Sequence, residues 1–348
     1  MKTIIKLRFA IIMLFLAAGC TNNQKQTDME TQPEKEVTNT NTAISKDGTR
    51  IAYEKAGEGA RVILVDGALG HRKLNGGRDL ASLLAEKFTV IFYDRRGKGE
   101  STDTKPYSVD REIEDIEALV DKAGGSVYLY GASSGAALAL LAAEKLGSEK
   151  VRKLALYEPP YGSDTKQEFS REKNKVNELV RNGKPGEAVT FFMGRRGMPP
   201  VKLEDMKKSP EWNDIVRIGH TLVYDFEILG DGTVPIDIAR NITIPTLIMD
   251  GEKSFDFMHA TADTVGKIIP GALRKTIKGQ AHDLSPKLFR YCYRNFLACS
   301  NGLYTACLVE LNHVEFDNRK EVGLFICNNF NSPPGCGMRS FTKRDVNP

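Results

Sequence analysis

The stretch YLYGASSGAAL, residues 128–138, carries a short apolar strand into a glycine-flanked pair of serines and then into a helix of alanine and leucine. Gly131, Ser133 and Gly135 match the pattern G-x-S-x-G, in which a serine occupies a sharp turn between a strand and a helix. Glycine is needed on both sides because larger side chains would collide in so tight a turn. The flanking sequence favours that strand and that helix, so this spacing makes Ser133, rather than Ser134, the candidate nucleophile.

Apolar segments and helical segments alternate on both sides of this turn, after a hairpin signal at Asp47-Gly48. The predicted strands are 61–66, 88–93, 126–130, 153–157, 245–250 and 273–278. The predicted helices are 78–87, 108–123, 134–146 and 256–268. This alternation predicts an α/β fold, with a mostly parallel central sheet and helices on both faces.

The alternation stops between residues 161 and 240, where helical periodicity and Pro/Gly punctuation continue without a strand candidate. We therefore expect a core formed by residues 44–160 and 241–298, and a helical cap inserted at 161–240. Large apolar side chains of the insertion are candidates to line an acyl pocket, although packing of the cap against the core is the preferred role for several of them. These side chains are Phe191, Phe192, Met193, Met198 and Trp212.

A serine hydroxyl becomes nucleophilic only when a base accepts its proton. His282, in the segment KGQAHDLSP, follows the last predicted strand and is the candidate base. A structural or solvated role is expected for the other histidines. These are His71, His220, His259 and His313.

A carboxylate is needed to hold the tautomer of the imidazole and to stabilise the charge that forms on it. Glu158 follows strand 153–157, beside the strand that carries the serine, and is preferred. Asp256 is the alternative, although it enters a predicted helix, and Glu252 is a weaker third choice.

Backbone N–H groups are the candidate donors to the oxyanion that forms during acyl transfer. We predict that they belong to Ser134, directly after the nucleophile, and to Ala68, which follows the first central strand. Gly67 leaves room for the backbone of that loop to approach the serine.

With these pieces in chain order, residues 44–287 resemble the α/β-hydrolase family. The resemblance includes the loop DRRGKGES (94–101), which is similar to the family's D-x-R-G-x-G-x-S, and the segments LYEPP and GQAHD. Two positions depart from the family pattern: Asp66 stands where a histidine is usual, and Ser254 where the acid after the seventh strand is usual. Relatives that carry the acid after strand six favour Glu158.

The resemblance implies hydrolysis of an ester, thioester, amide or lactone through an acyl-enzyme, with a small acyl compound as substrate and no cofactor or metal. A serine nucleophile argues against the haloalkane dehalogenase branch, whose nucleophile is an aspartate. A catalytically silent ligand-binding protein on the same scaffold is the competing hypothesis, motivated by Asp66 and Ser254. Fold alone does not decide between them.

The first 19 residues have a basic start, a short apolar stretch and small residues before Cys20, which predicts an export signal. The segment LAAGC resembles the lipobox of bacterial lipoproteins, and this resemblance implies lipidation of Cys20 and attachment to the periplasmic or extracellular face of a bacterial membrane. Residues 20–43 are polar and predict a disordered tether. The net charge of +4 is spread without a basic stripe, so nucleic acid is not an expected partner.

Residues 299–348 form an anomalous, cysteine-rich tail that ends the resemblance. Translation in a shifted frame or past a lost stop is the preferred interpretation. A disulfide-linked appendage and a metal site are the alternatives, and the irregular ligand spacing speaks against the metal.

Overall fold

The computed structural model describes residues 40–74, 77–162 and 165–282, together with Phe296. The strands of this part of the chain are β1 (Asn41–Ile44), β2 (Arg50–Ala56), β3 (Ala60–Val65), β4 (Phe88–Tyr93), β5 (Val127–Ala132), β6 (Val151–Tyr157), β7 (Thr246–Gly251) and β8 (Leu273–Ile277). They form an eight-stranded sheet in the order β1-β2-β4-β3-β5-β6-β7-β8. The pairs β1–β2 and β2–β4 are antiparallel, and every other pair is parallel.

From β3 onward, each connection between consecutive strands contains at least one helix. Within the described residues the helices are α1 (Gly77–Leu84), α2 (Val109–Lys122), α3 (Ser134–Lys150), α4 (Lys166–Arg181), α5 (Pro185–Arg195), α6 (Pro200–Lys208), α7 (Trp212–Ile218), a short 3₁₀ helix (Gly219–Thr221), α8 (Leu222–Ile228), α9 (Ile236–Arg240) and α10 (Asp256–Ile268). The predicted α/β fold class is confirmed. Each strand and each helix predicted from the alternation has its counterpart here.

The strand β5, which precedes Ser133, lies near the middle of the sheet between β3 and β6. Helix α3 packs close behind it, since the run Ala136–Leu140 is completely buried and the small alanine side chains allow a short distance between helix and sheet. Parallel neighbours end at the same edge of a sheet, so the segments after β5, β6 and β7 meet there.

Helices α4 to α9 fall between β6 and β7, where the sequence predicts the helical cap. The tether prediction extends too far along the chain, because β1 begins at Asn41 and pairs with β2. Ala43 is completely buried against the core, which fixes this short segment as a strand although its neighbours are polar.

The signal segment, Cys20 and the rest of the tether lie outside the described residues, as does the tail at 299–348. In the described part of the chain no helix is long and apolar enough to cross a bilayer.

Candidate active site

The candidate nucleophile, acid and base follow three strands of the same sheet. Ser133 comes directly after β5 and Glu158 directly after β6, and these strands are parallel neighbours. His282 lies in the segment after β8, which pairs with β7 next to β6. The sheet order thus brings residues that are far apart in sequence to one edge.

The backbone of Ser133 has φ 54° and ψ −128°, a conformation that residues with a side chain rarely adopt. A Cβ atom on Gly135 would lie 2.3 Å from the carbonyl oxygen of Val65, and one on Gly131 would lie 2.3 Å from the carbonyl oxygen of Gly135. Both glycines are therefore required by close backbone approach. The Ser133 N–H donates to the Tyr157 carbonyl at 2.9 Å and helps to hold the strained turn.

Glu158 and His282 are in direct contact. The Nδ1 atom of His282 lies 2.6 Å from Oε2 of Glu158, whose side chain is completely buried. The other carboxylate oxygen, Oε1, accepts the N–H of Gly251 at 2.7 Å. Both oxygens are thus engaged, and the imidazole is held by an oriented carboxylate with its Nε2 edge left for another partner.

The loop that carries His282 is tied to the ends of neighbouring strands. The Tyr157 hydroxyl donates to the carbonyl of Ala281 at 2.5 Å, and the Lys253 N–H donates to the carbonyl of Gln280 at 2.7 Å. These bonds fix the backbone immediately before the imidazole.

The structure does not bring the alternative acids to the histidine in this way. Asp256 is exposed at the start of α10, and Glu252 is exposed and accepts the N–H of Gly279 at 2.8 Å. The hydroxyl of Ser254, at the usual acid position of the resemblance, is buried and has no hydrogen-bond partner among the described residues.

Ser133 and His282 line a common cavity of about 1040 Å³. Its walls come from the sheet edge and from the inserted helices. Of the five apolar residues considered from sequence, Phe192, Met193 and Met198 line the cavity. Phe191 and Trp212 pack against the hydrophobic core instead, as expected for part of this set.

The predicted oxyanion loop lies against the serine. A Cβ on Gly67 would be 3.0 Å from the Cβ of Ser133, and Gly67, Ala68 and Ser134 all line the cavity. In the described part of the chain, neither the Ala68 N–H nor the Ser134 N–H donates to a main-chain carbonyl outside the helices and strands. Asp66, one of the two departures, accepts the Gly67 N–H on its own carboxylate at 2.9 Å, so the loop keeps a defined shape without the usual histidine.

A buried ion network lies beneath this loop, and sequence reasoning missed it. Arg95 pairs with Glu112 at 2.6 Å and with Asp225 of α8 at 2.7 Å. Asp225 also accepts the Ser134 hydroxyl at 2.8 Å, and the Lys98 ammonium donates to the Gly67 carbonyl at 3.0 Å. The motif DRRGKGES signals the loop, but its partner Asp225 comes from the inserted segment, 130 residues after Arg95, and no local pattern marks it.

The network shifts the ionisation of its members. Burial and, to a lesser extent, the neighbouring Arg95 guanidinium lower the pKa of Lys98 to about 8, against the opposing effect of Asp225. Burial alone would raise the pKa of Asp225, but the Lys98 ammonium and the Arg95 guanidinium outweigh burial and hold it below its ordinary value. The carboxylate is therefore ionised at neutral pH.

The other described histidines have their own partners. His71 is buried, which lowers its pKa, and its Nδ1 accepts the Lys73 N–H at 3.2 Å. His220 contacts Asp103 at 3.3 Å, and His259 pairs with Asp250. His313 lies outside the described residues.

Comparison with known proteins decides the family. A sequence model of the alpha/beta hydrolase family matches residues 69–286. The chain belongs to the alpha/beta hydrolase family. The crystal structure of an alpha/beta hydrolase from Sphaerobacter thermophilus is 41% identical, with a TM-score of 0.67, and the match covers 74% of this chain and 100% of that chain.

Other hydrolases are similar at lower identity. The serine hydrolase BPHL of Homo sapiens is 27% identical over 258 residues, which is 70% of this chain and 81% of that protein. The esterase RhEst1 from a Rhodococcus species has a TM-score of 0.56 at 19% identity, over 74% of this chain and 98% of its own, and shows the shared fold. The family and these relatives identify the protein as a hydrolase.

Proposed function

We propose that this alpha/beta hydrolase cleaves carboxylic esters or related acyl compounds through an acyl-enzyme on Ser133. His282 is the general base and Glu158 is the acid that orients it. The observation that carries the proposal is the 2.6 Å contact between the Glu158 carboxylate and the imidazole of His282, on the cavity that Ser133 also lines. The name of the similar serine hydrolase BPHL is consistent with this chemistry.

In the first half of the reaction the Ser133 Oγ attacks the carbonyl carbon of the ester while its proton passes to Nε2 of His282. A bond forms between Oγ and carbon, and the π electron pair of the carbonyl moves to its oxygen, which becomes the oxyanion. His282, now charged, is stabilised through Nδ1–H by the Glu158 carboxylate. When the oxyanion collapses, the C–O bond to the alcohol breaks and the alcohol leaves with the proton from Nε2.

In the second half water takes the place of the alcohol. His282 removes a proton from the water, the hydroxide oxygen bonds to the acyl carbon, and the Ser133–acyl bond breaks. The Ser133 Oγ regains its proton, and a carboxylic acid is released. In both halves the oxyanion accepts hydrogen bonds from the N–H groups of Ala68 and Ser134.

The acyl group is proposed to lie along the apolar wall that includes Phe192, Met193 and Met198. A cavity of about 1040 Å³ is at the upper end of ordinary small-molecule sites, so medium or bulky acyl chains are accommodated. We therefore expect kcat/KM to rise from acetate to longer esters of the same alcohol.

A fluorophosphonate probe tests the nucleophile directly, because it phosphonylates an activated serine. Wild-type protein is expected to gain the mass of the probe on the peptide containing Ser133, and Ser133→Ala is expected to remain unlabelled. Ser254→Ala is the control, since its buried hydroxyl has no hydrogen-bond partner among the described residues. It should be labelled at the wild-type rate. An inert wild type, with ligand binding intact, would favour the silent binding protein instead.

We also propose that the enzyme is anchored to a bacterial membrane through a lipid on Cys20, as the LAAGC segment suggests. Metabolic labelling with an alkyne fatty acid in a bacterial host is expected to tag the wild type. Cys20→Ala should lose the tag and move from the membrane fraction to the soluble fraction. A Cys20→Ala protein that keeps both the tag and the membrane location would contradict the anchor.

A further inference from the structure

The peptide between Gly67 and Ala68 lies next to the candidate nucleophile, since a Cβ on Gly67 would be 3.0 Å from the Cβ of Ser133. Its N–H belongs to Ala68, which lines the cavity, and its C=O belongs to Gly67. The C=O and N–H of a planar trans peptide point in opposite directions. A partner that fixes the carbonyl therefore also fixes the direction of the N–H.

The Gly67 carbonyl accepts two hydrogen bonds, a longer one from the Gly70 N–H at 3.4 Å and a shorter one from the buried ammonium of Lys98. The Nζ of Lys98, in the loop after β4, donates to the Gly67 oxygen at 3.0 Å, and its side chain is completely buried. Lys98 does not line the cavity, so it does not reach a bound substrate. The carbonyl of the preceding residue, Asp66, accepts a hydrogen bond at 3.3 Å from Nη1 of Arg95, which is a second buried cation.

From this arrangement we propose that protonated Lys98 is a positioning residue for the oxyanion site: by holding and polarising the Gly67 carbonyl, it directs the Ala68 N–H toward the oxyanion and strengthens it as a donor. A cation on the carbonyl oxygen draws electron density from the amide, and hydrogen bonds coupled in this way reinforce one another in a low-dielectric interior. The inference rests on the proposed function, since it concerns the same reaction.

Asp225 supplies the counter-charge that allows the lysine to be buried. Its Oδ2 lies 3.7 Å from Lys98 Nζ, while its Oδ1 accepts the hydroxyl of Ser134, whose N–H is the second predicted donor. One buried carboxylate of the inserted segment therefore contacts both Lys98, which holds the peptide of the first predicted donor, and the side chain of Ser134, whose N–H is the second. The assembly is set before substrate arrives, which is the condition under which such donors contribute most to rate.

Replacement of Lys98 by Met tests the role, because Met has similar length but neither charge nor donor. We expect kcat to fall roughly 10- to 100-fold, less than for outright removal of a donor, while KM changes by less than about twofold. A trifluoromethyl ketone adds to the serine and forms a tetrahedral oxyanion. Its inhibition constant should rise by the same factor by which kcat falls. Lys153→Met is the matched control: Lys153 is also buried but lies near the start of β6, away from Glu158, and kcat should be unchanged.

The pH dependence of kcat provides a second test. The titratable and charged groups around the ammonium are Asp66, His71, Arg95, Glu112 and Asp225. Since burial lowers the pKa of Lys98 to about 8, we expect kcat to decline as pH rises through about 8, and the low kcat of Lys98→Met to stay flat there. Titration of Lys98 does not itself destabilise the fold: between about 8 and the ordinary pKa of 10.5 the unfolded chain holds this proton more tightly, so the contribution of this group to stability increases with pH.

The outcomes separate this inference from the proposed function. An active Ser133→Ala would end the proposed function whatever Lys98 does. A wild type labelled on Ser133, combined with an unchanged kcat in Lys98→Met or with a loss in KM alone, overturns only the role of Lys98. If Lys98→Met does not fold, Lys98→Gln removes the charge and keeps an N–H donor, and a kcat within about twofold of the wild type in that variant contradicts the role of the charge.

Discussion

Replacing His282 by alanine is expected to lower kcat for ester hydrolysis by about 10⁶-fold, and removing the Ser133 hydroxyl in the same molecule is expected to lower it no further. The physical reason is that the two groups act as one unit. Without a base, the hydroxyl keeps its proton and attacks poorly, and without the hydroxyl, the base has nothing to activate. Steady-state kinetics on a chromogenic ester would measure the single and double variants.

A matched control for His282 is His220→Ala. His220 lies on the inserted segment and contacts Asp103 rather than Glu158, so its loss should leave kcat within a few-fold of the wild type. Some residual activity is expected in His282→Ala and in the double variant, because the oxyanion donors and substrate binding still contribute. Two losses that multiply in the double variant would show that Ser133 and His282 act independently, contrary to the proposed mechanism.

Much of the geometry of this candidate site was predictable because its determinants are local in sequence. The period of the apolar residues locates β5 and β6, and the chemistry of the turn locates Ser133 between its glycines. Once the strands are ordered in a parallel sheet, Glu158 follows the neighbour of the nucleophile strand, and the structure brings it to His282. Each of these inferences needs only a short window of residues and the rule that parallel strands end together.

The parts that sequence did not predict depend on contacts across long chain separations. Asp225 pairs with Arg95 beneath the oxyanion loop, yet nothing around Asp225 distinguishes it from any other helical carboxylate. The same limit applies to Phe191 and Trp212: both pack against the core, although Phe192, directly after Phe191, lines the cavity. The start of β1 at Asn41 was missed because pairing with β2, rather than local composition, makes those residues a strand.

The ion network also accounts for how the inserted helices are coupled to the chemistry. A buried carboxylate from α8 bonds to Ser134 and to two cations of the loop after β4. Breaking such a pair leaves an uncompensated buried charge, which costs about 3 to 5 kcal/mol. The insertion is thereby fixed to the elbow through charge as well as through apolar packing.

Changing Glu158 to Gln is expected to lower kcat by roughly 10⁴-fold while leaving the fold and KM largely intact. Glutamine keeps the shape of the side chain and an oxygen that accepts the Gly251 N–H, now 2.7 Å from Oε1. It loses the negative charge that stabilises the imidazolium, and its amide group permits the tautomer in which Nδ1 accepts and Nε2 carries the proton. In that tautomer Nε2 cannot take the proton of Ser133.

Asp256→Asn is the control, because Asp256 is the rival acid and is exposed at the start of α10. Its kcat should match the wild type, and urea unfolding should confirm that both variants are folded under assay conditions. The reverse result, a large loss for Asp256→Asn and a small one for Glu158→Gln, would move the acid to the segment after β7. Equal and mild losses would mean that neither carboxylate orients His282 during turnover, and that the 2.6 Å contact with Glu158 is structural.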